Sequence, residues 1–169
     1  MKKILYQLDN GLVGIINTPA GLTDEQLVSQ VPIGHAYVLI EENQMPSRQD
    51  LRDFSDALIV DFNNPQNPNV RIDLEKAKEI TKNRLRFERQ PLFEKNDILL
   101  RDAILENDEQ AKTESITERN RLRYLTDQVE YAESLQELRD IRANVESAPT
   151  YIPPVEIPPE ILAQMVREA

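Results

Sequence analysis

The first apolar residues of the chain alternate with polar ones and predict a β-hairpin. Positions 4–8 carry apolar side chains at every second residue, and a continuous apolar run follows at 12–16. Asn10-Gly11 lies between them, and this dipeptide is a strong hairpin signal because both residues tolerate a positive φ. The sequence therefore predicts two antiparallel strands at the N-terminus.

Further apolar runs predict more strands, and side chains that can cap helices lie between them. The segments 35–40 and 57–62 are apolar runs of strand length. Thr23 and Gln26 have the spacing of a capping box before a helix over roughly 24–30. Ser47 has the character of an N-cap for a second short helix. We expect three or four antiparallel strands with one or two short helices.

From Asp73 onwards, apolar residues recur at the spacing of an α-helix. Asp73 itself stands where the N-cap of this helix is expected. A first amphipathic stretch ends near Pro91, which either kinks this helix or starts the next one at its first turn. A second stretch covers 92–104 and a third covers 116–129. Ser134 and Glu137 form a capping-box pattern, and a fourth helix follows over 135–145.

A polar segment and a change in charge density divide the chain. Residues 63–69 contain two prolines and four asparagines but no apolar side chain, which is typical of a linker or an exposed loop. Charged residues are concentrated in the helical stretches that follow. We therefore predict an α+β fold with a small antiparallel β-sheet module at 1–62, a linker at 63–72, a helical region at 73–147, and a Pro-rich C-terminal arm with a short terminal helix at 148–169.

The Pro-rich arm is unusually apolar for a terminal segment. Five of the 11 prolines lie between residues 149 and 159 and favour an extended, polyproline-like course. Apolar side chains on an extended segment need a packing surface, which is either the protein's own helices or a neighbouring subunit. The predicted partner-binding residues are Tyr151, Ile152, Val155, Ile157, Ile161, Leu162 and Met165.

Composition argues against catalysis and against metal or cofactor binding. The 169 residues include no Cys and one His, and their net charge is −10. Thiolate chemistry is therefore excluded, and an acidic chain is poorly suited to bind nucleic acid. No apolar run approaches the roughly 20 residues that span a bilayer. We expect no enzymatic activity, no catalytic residue, no metal, no cofactor, no nucleic-acid partner and no membrane partner.

The charged side chains have simple structural interpretations. His35 fits a structural residue at the end of a strand. Acidic clusters at 73–75 and 106–109 fit helix caps and an interhelical turn, since a calcium loop would need a different spacing and a glycine. Basic runs at 76–89 and 119–123 are interleaved with acids, which favours salt-bridged helix faces over a nucleic-acid surface.

Residues 84–125 resemble the C-terminal region of bacteriophage tail-fibre assembly chaperones. The matching segments are Arg84-Leu85-Arg86-Phe87-Glu88-Arg89-Gln90-Pro91-Leu92-Phe93 and Glu118-Arg119-Asn120-Arg121-Leu122-Arg123-Tyr124-Leu125-Thr126-Asp127. The front of the chain is similar to small uncharacterised proteins of phage tail gene clusters. Their shared elements are Val31-Pro32-Ile33-Gly34-His35-Ala36-Tyr37 and Arg52-Asp53-Phe54.

The resemblance implies a bacteriophage tail-associated protein with other tail or fibre proteins as partners, present in several copies in a symmetric assembly. Such a chain would be made in the host cytoplasm and reside in the virion tail. The chaperones often carry Trp residues and usually lack a Pro-rich arm, whereas this chain has no Trp. These differences favour a structural or adaptor subunit, such as one at the tail-fibre attachment site. The alternative is a transient fibre-assembly chaperone that is not retained in the virion.

Overall fold

A three-stranded antiparallel sheet forms the N-terminal part of the computed structural model, which describes residues 2–17 and 21–145. Strand β1 (Lys2–Gln7) lies between β2 (Val13–Asn17) and β3 (Tyr37–Glu41). The β1–β2 loop closes at Gly11, whose φ is +78°, so the glycine alone takes the left-handed conformation of the predicted turn. Helix α1 (Asp24–Val28) joins β2 to β3.

The next apolar run forms a separate hairpin instead of joining the first sheet. Strand β4 (Leu58–Val60) pairs with β5 (Val70–Ile72), in antiparallel register. Residues 61–69 connect these strands, so the segment predicted as a linker at 63–72 is a hairpin loop that ends in a strand. The hairpin packs on the face of the first sheet that contains Leu5 and Val38. The overall class is α+β, as the sequence predicts.

Three helices follow. Helix α3 (Leu74–Glu106) is a single helix of 33 residues that contains Pro91, so the first two predicted stretches are one element. Helix α4 (Glu109–Gln128) returns antiparallel to α3, and α5 (Leu135–Ala143) packs across them. Asn107, with φ 56°, makes the left-handed turn between α3 and α4, and Asn is the residue that tolerates this region best after Gly.

Most predicted helix starts are confirmed, and one differs in detail. Thr23 and Gln26 form a reciprocal capping box, and Ser47 caps helix α2 (Arg48–Phe54). Asp73 accepts hydrogen bonds from the first turn of α3. Ser134 accepts from the backbone of Glu137, but the Glu137 carboxylate accepts from the Glu133 N–H, so only half of the predicted capping box forms.

The main core lies where α2, α3, α4 and α5 meet. Its members include Phe54 and Ala57 from the end of α2 and the turn after it, together with Leu85, Leu122 and Leu138, which are fully buried. Helix α2 lies within the predicted N-terminal module, yet its end packs into the helical core. The two parts of the chain are therefore joined through this contact.

Candidate protein-binding site

The distal hairpin, residues 94–121, extends beyond the main core. It consists of the second half of α3, the turn at Asn107 and the first half of α4. No residue of this range belongs to either core cluster among the described residues. Five of the ten large hydrophobic side chains that are exposed in the described chain lie here, namely Ile98, Leu99, Ile104, Leu105 and Ile116. This concentration marks the distal hairpin as the candidate site.

The two sides of the distal hairpin differ in chemistry. One side carries a groove of about 250 Å³, the apolar groove, which is lined by Leu100, Ile104 and Leu105 and bordered by Arg101 and the Asp97–Arg119 ion pair at 2.8 Å. The other side carries a groove of about 360 Å³, the acidic groove. Its small or apolar residues include Leu99 and Ala103, and its carboxylates are Asp102, Glu106, Glu114 and Glu118. The apolar groove therefore suits a hydrophobic partner, and the acidic groove suits a basic one.

A buried polar contact fixes how α3 and α4 align in the distal hairpin. The side-chain amide of Asn96 donates to the backbone carbonyl of Ser115 at 2.9 Å, and both residues are buried. Farther along α3, the small side chain of Ala103 is also buried, with 4% exposure. A buried amide specifies one helix register because any shift would leave it without its acceptor.

Arginines hold the helices together at the base of the distal hairpin. Arg89 donates to the carbonyl of Leu122 at 2.9 Å and to the Thr126 hydroxyl at 3.1 Å. Arg121 donates to the carbonyl of Asn144 at 2.8 Å, and its hydrogen bonds to Glu118 raise the pKa of its guanidinium. The predicted salt-bridged faces are thus confirmed in part, because several arginines bind backbone carbonyls instead of carboxylates.

A third groove, the arginine groove, lies between α2, α3 and α5. It has a volume of about 510 Å³. Arg139 of α5 pairs there with Asp53 at 2.8 Å and also with Asp50. The hydrogen bond from Arg139 is the main cause that lowers the pKa of Asp53 below its ordinary value, against the opposing effect of burial. These ion pairs attach α5 to α2.

The single histidine has a structural environment. His35 Nδ1 donates to the backbone carbonyl of Gln7 at 2.6 Å, and its ring meets Tyr6 edge-on with centroids 6.1 Å apart. The acidic clusters also serve local structure, since Asp108 caps α4 and Asp73 caps α3. These contacts agree with the sequence interpretation of both features.

The predicted partner-binding residues, from Tyr151 to Met165, lie outside the described residues, as does the whole arm at 148–169. The distal hairpin was not predicted as a site, although the sequence holds a signal for it. Residues 98–105 contain five large aliphatic side chains, whereas the facing segment 109–121 contains only Ile116. Helix α4 is therefore too poor in apolar residues to cover α3, which leaves part of α3 exposed.

No helix of the described ranges has the length and apolar character needed to cross a membrane. Within the same ranges, no group of three or more His, Cys, Asp or Glu side chains is placed to hold a metal ion. The chain matches no protein-family model, no curated protein and no solved structure.

Proposed function

We propose that this chain is a non-catalytic structural or adaptor subunit of a bacteriophage tail that binds neighbouring virion proteins through its distal hairpin. The observation that carries the proposal is the set of five exposed aliphatic side chains on those parts of α3 and α4 that lie outside the core. A concentration of large exposed apolar side chains in one region favours a protein interaction site. The phage assignment comes from the resemblance of residues 84–125 to tail-fibre assembly chaperones.

The chemistry of the distal hairpin defines the kind of partner. Residues 94–121 contain eight acidic and five basic side chains, which gives a net charge of −3. Two apolar side chains of the apolar groove are exposed, Ile104 at 53% and Leu105 at 73%, and an ion pair lies at its border. A fitting partner is therefore an amphipathic segment with an apolar ridge and basic flanks, packed as one helix against two.

The arginines in the segments that resemble tail-fibre assembly chaperones support this proposal. Arg84 donates to the Asp53 carbonyl, and Arg89 and Arg121 donate to other backbone carbonyls. Each arginine holds α3 or α4 in position at the base of the distal hairpin. Proteins with the same arginine pattern would have a helical hairpin that hydrogen bonds hold rigidly at its base. Such a hairpin suits both a structural subunit and a chaperone.

The test uses the phage that encodes the chain. Mass spectrometry of purified particles should detect the protein, and the Leu105→Asp variant should lose incorporation while its thermal unfolding stays unchanged, because this side chain is 73% exposed. Phe87→Asp is the matched control, since Phe87 is 82% exposed but lies on α3 outside the distal hairpin. This control should be incorporated normally.

Two results would overturn the proposal. Absence of the wild-type chain from particles would exclude a structural role and favour the chaperone alternative, in which the fibre protein becomes soluble only on co-expression. Equal incorporation of the Leu105→Asp and Phe87→Asp variants would exclude the distal hairpin as the binding surface.

A further inference from the structure

The arginine groove combines an apolar floor with a basic border. Phe54 and Leu138 are buried beneath it, and Leu92 also lines it. The charged residues that line it, among those the structure describes, are Arg52, Arg84, Arg139, Arg142, Asp53 and Glu88. These four arginines face the carboxylates of Asp53 and Glu88, and Asp50 also pairs with Arg139, so one positive charge remains in excess in a chain whose net charge is −10.

The four arginines differ in how their charge is compensated. The side chain of Arg52 is 76% exposed and pairs with Asp53 at 3.3 Å. The guanidinium of Arg84 donates to the backbone carbonyl of Asp53 at 2.6 Å. A carbonyl carries no formal charge, so this contact does not neutralise the positive charge of Arg84. Arg142 is bound to Glu88 at 2.6 Å, and this hydrogen bond raises the pKa of the Arg142 guanidinium. The groove thus favours an anionic, partly apolar ligand.

The described chain ends at this groove. Val145 is one of its lining residues and is 4% exposed. Arg121 donates to the carbonyls of Asn144 and Val145, at 2.8 and 3.4 Å, and fixes the place where the chain leaves α5. The last described residue, Val145, therefore lies beside the groove.

The sequence that continues from this point has the matching chemistry. Residues 146–169 contain four acidic side chains, at 146, 156, 160 and 168, and one basic side chain at 167. They also contain five prolines and the apolar residues of the predicted arm. Prolines lack an N–H, and the carbonyls of a polyproline segment have no internal hydrogen bonds, so they can accept from guanidinium groups.

We propose that residues 146–169 dock into the arginine groove of their own chain, with apolar side chains on the floor and carboxylates against the arginines. Attachment at Val145 makes this an intramolecular association, for which short linkers give effective concentrations on the order of millimolar. The acidic groove of the distal hairpin is the competing surface, but its four carboxylates repel an acidic segment. This inference does not depend on the phage-tail proposal.

The absence of cysteine from the sequence permits a direct test by disulfide trapping in the full chain. Gln49→Cys places a thiol on the exposed edge of the arginine groove, and Val155→Cys places the second in residues 146–169. Leu99→Cys with Val155→Cys is the matched control for the acidic groove. Leu99 lies seven residues beyond Leu92, about 10 Å along α3, so both sites lie within the roughly 31 Å that ten extended residues span.

Under mild oxidation, the Gln49/Val155 pair should close an intrachain disulfide at least about tenfold faster than the Leu99/Val155 pair, a difference equal to one decade of effective concentration. Adding Arg52→Glu, an exposed change that leaves the core intact, should slow closure several-fold, and added salt should do the same. Equal rates for the two pairs would overturn the proposal. A disulfide between chains, detected as a covalent dimer at low protein concentration, would also overturn it and would assign residues 146–169 to a neighbouring copy.

Discussion

The ion pair between α2 and α5 provides a quantitative test of how the two parts of the chain are joined. We predict a coupling energy of about 1–2 kcal/mol between Asp53 and Arg139, measured with Asp53→Asn, Arg139→Gln and the double variant. The atoms are 2.8 Å apart, and each side chain is 17% exposed. Exposed pairs give coupling energies of about 0.2–1 kcal/mol in such cycles. The coupling of Asp53 and Arg139 should lie at or above the top of this range, because side chains that are mostly withdrawn from water are screened less.

The pH dependence gives the sign of the effect. The hydrogen bond from Arg139 keeps the pKa of Asp53 lower in the folded state than in the unfolded state. The stabilisation is therefore fully present above the unfolded-state pKa of about 3.9 and is lost as the pH falls through the lower folded-state value. The coupling energy should be constant from about pH 7 to pH 5 and should decline below about pH 4.

Urea unfolding followed by far-UV circular dichroism measures all four proteins of the cycle. The matched control is the exposed pair Arg101 and Asp102, whose side chains are 66% and 49% exposed at a separation of 3.0 Å. Its cycle should give a coupling of about zero within the usual additivity error of roughly 0.3–0.5 kcal/mol. A value for Asp53 and Arg139 within that same error, or a coupling that grows on acidification, would refute the reasoning.

Three further substitutions and one control, measured by the same unfolding assay, test the packing, the helix register and the first turn. Leu122→Ala should cost about 2–5 kcal/mol because the side chain is fully buried, whereas Leu105→Ala, on a mostly exposed residue, should stay within about 0.5 kcal/mol; equal losses would contradict the assignment of the core. Asn96→Ala should cost about 1 kcal/mol through the lost hydrogen bond to Ser115, and an unchanged stability would remove its role in fixing the register. Gly11→Ala should cost about 1–2 kcal/mol because its φ is +78° with free space around the site, and a neutral result would show that the turn rearranges.

Local signals predicted much of the fold. Thr23, Ser47 and Asp73 each cap the helix that follows, because a side chain that bonds to backbone two or three residues away needs no distant partner. The sequence left open whether Pro91 lies within one helix or starts the next, and the structure shows that α3 continues through it. A proline removes a single hydrogen bond within a helix, and the packing of the neighbouring Leu92 and Phe93 against the core outweighs that loss.

Non-local features were harder to predict. Strand β5 contains only Val70, Arg71 and Ile72, next to a polar loop, and it becomes a strand through its pairing with β4. The distal hairpin and the arginine groove also depend on which helix covers which. The apolar residues of 98–105 recur as they do on a buried helix face. Their spacing does not reveal that α4 leaves part of this face uncovered.

The unequal thickness of the helical region has a consequence for its dynamics. Near Leu85 and Leu122, α3 and α4 share a core with α2 and α5, but near Ala103 and Ser115 they have only each other and small side chains between them. Local opening should therefore require much less free energy at the turn around Asn107 than at the base. Native-state hydrogen exchange should show amide protection that falls steadily along α3 towards that turn, and a partner seated on the apolar groove should slow exchange there first. The turn around Asn107 would then be the part of the hairpin whose stability changes most if a partner binds as proposed.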